Sequence, residues 1–200
     1  MIDTISLSEV CEQIFTGLPP RLKALPGAAV LTSFPLIGIR AITSDGQLDI
    51  QQIEEFSFEG KLPKYIRSLV QGDVLMTIRG SNPKAAIVES AFNETTYPSG
   101  NLAVLRADQS KIVPSYLWSY LSNAFKQDYH PLLTRATTQQ LSIRMADLTK
   151  LKIPYIPMNK QRAIGNATLA LRNAVITQKK VVAQSEKTFV AFLAETFCKL

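Results

Sequence analysis

Residues 159–198 constrain this chain more than any other stretch. They contain no Gly or Pro after Gly165, and Ile164, Leu171, Val175, Val182, Phe189 and Phe192 recur at spacings of seven, four, seven, seven and three. A heptad-like apolar repeat without breakers predicts one long helix with a seam along one side. At 1.5 Å per residue, about 35 residues reach roughly 50 Å, longer than a helix needs for packing on its own small domain. Such a helix projects and pairs with a partner. The residues expected at that interface are Ile164, Leu171, Val175, Gln178, Val182, Ser185, Phe189 and Phe192. Gln178 and Ser185 fall on the seam, where polar side chains fix register at some cost in stability.

The preceding part reads as a mixed domain. Residues 5–16 place Leu7, Val10, Cys11, Ile14 and Phe15 at helical spacing, with Ser6 or Ser8 as N-cap and Gly17 past the end, which predicts a short opening helix. After the breakers Pro19, Pro20, Pro26 and Gly27, "AAVLTSFPLIGIRAI" predicts one or two strands before the turn Ser44-Asp45-Gly46. "VLMTI" (74–78) follows the turn dipeptide Gly72-Asp73. With "AAIV" (85–88) across the Asn82-Pro83 break it makes a hairpin, and "NLAVLRAD" (101–108) is a third strand nearby.

At Pro114 the period changes. Leu117, Leu121, Ala124 and Phe125 give an amphipathic helix to about Lys126, packed with help from Tyr116, Trp118 and Tyr120. "PLLTRATTQQL" (131–141) has no sustained period and reads as a loop. Ser142 is placed to cap a short helix through Leu148, and "LKIPYIP" (151–157) is a strand closed by prolines. The fold class expected is α+β: a target domain over 1–157 with a twisted, hairpin-containing sheet, then a long helical region over 158–200.

Charge is unevenly distributed. Residues 1–60 carry Arg21, Lys23 and Arg40 against eight acids, a net of −5, whereas residues 61–200 carry 19 basic residues against eight acids, a net of +11. The basic part favours a polyanion, with nucleic acid the commonest candidate. No apolar run is long enough to span a membrane. The stretch "MIDTISLSEVCEQIF" has acids where a signal peptide carries Lys or Arg, so a cytoplasmic location is expected. Cys11 and Cys198 have no CxxC or CxxxH partner, so two buried, reduced thiols are expected rather than a zinc site or a disulfide.

The tip Arg79-Gly80-Ser81-Asn82-Pro83-Lys84 raises three readings: a phosphate cradle, a catalytic serine or a hairpin turn. GxxxxGK[ST] is absent, so the first has no support. Ser81 has no GxSxG elbow, and the sole histidine, His130, lacks a triad context and reads as a loop or surface residue. Asp73 closes an Asx turn, no DxD, HExxH or ExxH spacing presents metal ligands, and neither a methyltransferase Asn/Asp-Pro-Pro-aromatic motif nor a GxGxxG is present. No catalytic apparatus and no cofactor site is expected.

What survives is recognition. Arg79 and Lys84, with Lys64, Arg67 and Arg135, have the charge for phosphates and guanine edges, while Asn82, Gln139 and Gln140 have the paired donor and acceptor that adenine's major-groove edge requires. Ser81, Thr134, Thr137 and Thr138 add short donors. The plainer alternative, a solvated polar loop, stays open on composition alone.

Taken in order, four segments resemble the specificity subunit of type I restriction-modification systems. "LSEVCEQIFTGL" is similar to that family's opening. "GDVLMTIRGSNPKAAIVE" is similar to its hairpin, of the form GD, two hydrophobic residues, two of any kind, R-G-S, two more and K. "IVPSYLWSYLSN" is similar to its I-x-P-x-Y-L helix start. "TTQQLSIRMADLTKLKIPYIPMNKQRAI" is similar to its closing run into the long helix. The resemblance runs from about residue 5 to the C-terminus. Asn82-Pro83 replaces smaller residues at the tip, and Ala136 stands where a Gly is common, departures that bear on which bases are read.

In that family each half carries one target recognition domain and one long helix, and two halves in tandem pack their helices antiparallel and dock methyltransferase subunits. This chain has one half. The resemblance therefore implies a non-catalytic subunit that binds double-stranded DNA at a bipartite target and serves DNA adenine methyltransferase subunits, with restriction subunits as further candidate partners. It also implies pairing as a homodimer through residues 160–198. The rival expectation is an interaction or decoy module that pairs with a full-length specificity subunit and reads no DNA.

Overall fold

The computed structural model describes residues 3–19, 31–59, 62–80, 83–123, 133–135 and 141–197. In chain order the elements are β1 (Thr4–Ser6), α1 (Leu7–Val10), β2 (Cys11–Thr16), β3 (Leu31–Ile37), β4 (Glu54–Glu59), β5 (Val74–Thr77), β6 (Ala85–Ile87), β7 (Tyr97–Pro98), β8 (Leu102–Ala107), α2 (Pro114–Ser122), β9 (Leu133–Arg135), β10 (Leu141–Ile143), α3 (Met145–Lys150), β11 (Lys152–Pro154) and α4 (Met158–Phe197). Short 3-10 turns at Ile39–Ala41 and Ile50–Gln52 lie between β3 and β4. This is the α+β architecture expected from the sequence, with the long helix at its end.

The central sheet has the order β2-β8-β5-β6, antiparallel throughout. The expected hairpin is β5–β6, with Val74 opposite Ile87, and "NLAVLRAD" supplies β8 on the other side of β5. Both faces of this sheet are covered, so alternate side chains enter two cores. Val74, Met76, Ala103 and Leu105 meet α2 through Leu117, Trp118 and Leu121. Leu75, Ala86, Leu102 and Val104 meet Ile37, Ile42 and Leu69 on the opposite face. A second sheet, β4-β3-β7, stacks Phe34 against Tyr97 and Phe56 at centroid distances of 4.8 and 5.6 Å.

Three local expectations are corrected. Residues 5–16 are not one helix: a single helical turn, α1, is followed directly by strand β2. Leu7 and Val10 do face the core from that turn, and the Ser6 N–H donates to the Glu9 carboxylate at 3.0 Å. Beyond it, β2 carries a register shift between Cys11 and Gln13, so that Cys11 and Ile14, three residues apart, pack on one core while Phe15 packs on the other, a pattern that imitates a helical period.

Residues 131–141 are not wholly a loop, because Leu133–Arg135 pairs antiparallel with Leu141–Ile143. Ser142 therefore lies in a strand, and the N-cap of α3 is Arg144. The helix from Pro114 closes at Ser122, and Lys126, to which the sequence extended it, lies outside the described residues, as do His130 and Cys198. Cys11 is half-buried, with burial pushing its thiol pKa up to about 12, so it is a poor nucleophile.

The long helix α4 has 40 residues, so at 1.5 Å per residue it runs about 60 Å. Its first part is docked on α2. Gly165 makes the close approach: a Cβ there would sit 2.2 Å from Ser115 Oγ. Thr168 and Ser119 exchange a hydroxyl hydrogen bond at 2.8 Å, and buried Gln161 accepts from the Val113 N–H at 2.9 Å while donating to the Ile156 carbonyl at 2.8 Å. Among the described residues no helix is long and apolar enough to cross a membrane.

Candidate nucleic-acid interface and its helical mount

Backbone flanking the two segments singled out for recognition meets at one end of the central sheet. Just past β5, Arg79 forms an antiparallel bridge with Ser142, and the Ile143 N–H donates to the Ile78 carbonyl at 2.9 Å. Ser142 in turn pairs with Thr134, so three backbone segments carrying Arg79, Ser142 and Thr134 run side by side, spanning about 10 Å at normal strand spacing. Ile78 and Ile143 are buried in the core, whereas Arg79 and Arg144 are exposed. Alternation along extended backbone accounts for this: the isoleucines anchor the junction, and the guanidinium-bearing residues face outward.

The other candidates fall differently. The backbone of Thr134 and Arg135 belongs to β9, while Ser81, Asn82, Thr137, Thr138, Gln139 and Gln140 lie outside the described residues. Lys84 is half-buried beside the same hairpin. Its ammonium donates to the Ile42 carbonyl at 3.3 Å and its N–H to Thr77 Oγ1 at 2.8 Å, so it ties the hairpin to the segment after β3.

Lys64 and Arg67 are exposed on the segment before β5, flanking Tyr65, which is 71% exposed. The Arg67 guanidinium lies 5.7 Å from the Phe15 ring centroid, and Arg106 lies 5.6 Å from the same ring. Arg106 makes a two-pronged pair with fully buried Asp73, both contacts at 2.8 Å, and Asp73 also accepts from the Val70 N–H. Hydrogen bonding to Asp73 raises the Arg106 pKa further above its usual value. Asp73 stands immediately before β5, and Arg79 lies beyond the other end of that strand.

Sequence reasoning missed Arg144, Arg106 and Arg172. Arg144 carried a readable signal, since it stands two residues after Ser142 and just before the first turn of α3. Arg106 carried none, because its partner Asp73 is 33 residues away. Arg172 was hidden in the helix, yet it is 7% exposed. It donates to the Gly46 carbonyl at 3.2 Å and to Glu89 at 2.6 Å, and its guanidinium lies 4.9 Å from the Trp118 ring centroid.

The acidic character of the first 60 residues is local too. Glu54, Glu55 and Glu94 line a groove of about 540 Å³ beside Pro35 and Phe92, a wall that repels a polyanion. Among the described residues no group of three His, Cys, Asp or Glu side chains is placed to hold a metal ion.

The fold so assembled is that of a mixed α+β domain mounted on a long helix. A type I restriction enzyme specificity subunit described as putative, MjaX of Methanocaldococcus jannaschii, is 30% identical to this chain over 173 residues, covering 83% of this chain and 39% of that one. The HsdS subunit from Thermoanaerobacter tengcongensis superposes with a TM-score of 0.60 at 22% identity, over 92% of this chain and 45% of its own. A structure solved for the complex assembly and conformational transition of the type I R-M system gives 0.61 at 20% identity, with the same coverage. The type I S subunit from M. genitalium gives 0.57 at 11%, over 94% of this chain and 43% of that one. No family model matches.

In sequence and in fold, then, the chain is related to the specificity subunits of type I restriction-modification systems, as its motifs implied. It spans less than half the length of each relative.

Proposed function

We propose that this chain is a DNA-specificity subunit of a type I restriction-modification system. It acts in the cytoplasm with no cofactor and no catalytic groups of its own. Residues 1–157 read DNA; residues 158–200 join two copies and dock adenine methyltransferase subunits, with restriction subunits as further partners. A two-fold homodimer presents two reading domains and so recognises a bipartite target whose gap the helices set.

The observation that carries this reading is the Arg79–Ser142 bridge, with Ser142 paired in turn to Thr134 and with Arg79 and Arg144 both exposed. Arg79, Arg144 and Arg135 supply backbone contacts, while Asn82, Gln139 and Gln140 supply base contacts. Lys84, already held on a carbonyl, supports the hairpin rather than the phosphate.

The test is a methylation map of host DNA with and without the chain, in the presence of the methyltransferase subunits, joined to binding titrations on the mapped site. Expected are one interrupted motif that disappears with the chain and a fall in the salt slope of about 1 for Arg79→Ala. For Gln139→Ala, the loss of about 1–3 kcal/mol is confined to one base position. Methyltransferase binding with no DNA modified, and unchanged DNA affinity after losing Arg79 and Arg144, would overturn the reading in favour of an interaction module.

A further inference from the structure

The domain is fastened to α4 along a line that changes character partway. Over residues 161–169, about 12 Å of helix, the fastening is close packing: Gly165 lies against Ser115, Thr168 bonds Ser119, and Leu169 packs on the main core. Further along, packing gives way to a cavity of about 220 Å³, with Ser44, Asp45 and Trp118 on the domain side and Leu171 and Val175 on the helix. Polar side chains bridge this gap. The Arg172 guanidinium, its side chain 5% exposed, reaches the Gly46 carbonyl, Glu89 and the Trp118 ring. The Lys179 ammonium meets both Asp45 oxygens, at 2.9 and 3.0 Å.

The turn held in this way is itself joined to the hairpin that leads to Arg79. Gly46, at φ +75°, sits so close to the indole that a Cβ would lie 2.9 Å from it. Just before the turn, the Ile42 carbonyl accepts from Lys84. The carbonyl of the next residue, Ala85, accepts from the Trp118 indole N–H at 3.2 Å and from the Ser122 hydroxyl at 3.4 Å. Helix, turn, indole and the return strand of the hairpin form one connected set of contacts.

We infer that Arg172 and the Asp45–Lys179 pair are positioning residues, which fix the angle of the reading domain on α4 and thereby the gap length that a bipartite target must have. The inference rests on the DNA-reading function proposed above. One added base pair displaces a half-site by about 3.4 Å and turns it by about 35° around the DNA axis. Rejecting a neighbouring gap therefore requires a mount that swings through much less. Packing over residues 161–169 gives a baseline of about 12 Å, and extending it to Lys179 gives about 27 Å. Angular slack falls as the baseline lengthens. Arg172, nearly buried, is the stronger arm, whereas the partly exposed Asp45–Lys179 pair is screened by salt.

The experiment uses the full chain with its methyltransferase subunits on duplexes that share the half-sites mapped for wild type and differ only in gap length. Wild type is expected to modify gaps one base pair too long or too short on the order of a hundredfold more slowly, the cost of a misplaced reacting group. Arg172→Met should bring neighbouring gaps within about tenfold of the native one while the same half-site bases are read. Asp45→Lys and Lys179→Asp should each relax the preference by a smaller factor. The two together should restore it, which a general loss of stability would not do. Should Arg172→Met fail to fold, these charge reversals carry the test. In parallel, spin labels on Asn93→Cys and Lys187→Cys, with Cys11 and Cys198 replaced by Ala and labelled chains diluted into unlabelled ones, report the distance from domain to helix. Its distribution should broaden in Arg172→Met. Equal slowing at every gap with an unbroadened distance, or a double reversal as relaxed as the single changes, would overturn this inference and leave the DNA-reading function standing. A wild-type complex that modifies no site would overturn that function and the role in gap choice with it.

Discussion

The two halves of α4 are built on opposite principles. From Gln161 to Lys179 the helix is held to its own domain by small and polar groups: Gly165 against Ser115, Thr168 on Ser119, Arg172 between Gly46 and Glu89, Lys179 on Asp45. From Val181 onward large apolar residues stand in solvent, with Val181, Val182, Phe189, Val190 and Phe192 all at least 57% exposed. Burial of a Val or Phe side chain is worth about 1.5–3 kcal/mol, so covering these exposed side chains would be favourable, as the proposed pairing does. The docked half thus fixes the direction in which the helix leaves the domain, and the distal half is surface for something else. On the function proposed above, the first property would set the angle of the reading domain and the second its partner.

The contrast is broken most severely at Trp118, which is 2% exposed, donates to the Ala85 carbonyl at 3.2 Å and supports the Arg172 guanidinium. Trp118→Ala should cost about 3–5 kcal/mol in urea unfolding, because it opens a cavity in the domain core as well as under the helix. Gly165→Val tests the junction alone. Its Cβ would lie 2.9 Å from the Tyr116 backbone nitrogen as well as on Ser115, and backbone cannot swing aside. A loss of about 1–3 kcal/mol is expected, with a changed helix direction in small-angle scattering. Arg172→Met keeps much of the apolar stem over the indole but leaves Gly46 and Glu89 without their donor. Glu89 is partly exposed and rehydrates, so the expected loss is smaller, about 1–2 kcal/mol.

These junction residues also mark where sequence reading succeeds and where it stops. The hairpin at 74–87, the helix opened by Pro114 and the length of α4 are set by local chemistry: turn dipeptides, a fixed φ and an unbroken heptad. Each is visible within a dozen residues or a few helical turns. The opening segment is misread because Leu7 and Val10 satisfy a helical period for one turn before a bulged strand takes over. The strand pair at 133–143 is misread because its residues show no alternating period, and the bridge from Ser142 to Arg79 joins it to a segment more than sixty residues earlier than Ser142. Arg172 looks like one more charge on a solvated face, since nothing nearby in sequence announces that Glu89 and Gly46 will enclose it. At the candidate DNA interface, charge and residue type were legible and the division of labour was not: Lys84 turned inward, and Arg144 took an outward place beside Arg79.

The smallest expected effect is the most discriminating. Phe192→Ser removes a ring from the distal half that is 61% exposed in the single chain. At concentrations low enough to keep the protein monomeric, unfolding should shift by no more than about 0.5 kcal/mol, the range of ordinary surface substitutions. At high concentration wild type gains more stability from association than the variant does, so their unfolding midpoints should diverge as protein is added. A variant equally destabilised at every concentration would mean that the ring packs within its own chain. The two halves of α4 would then form one continuous intramolecular surface, and the division between a docking half and a pairing half would be lost.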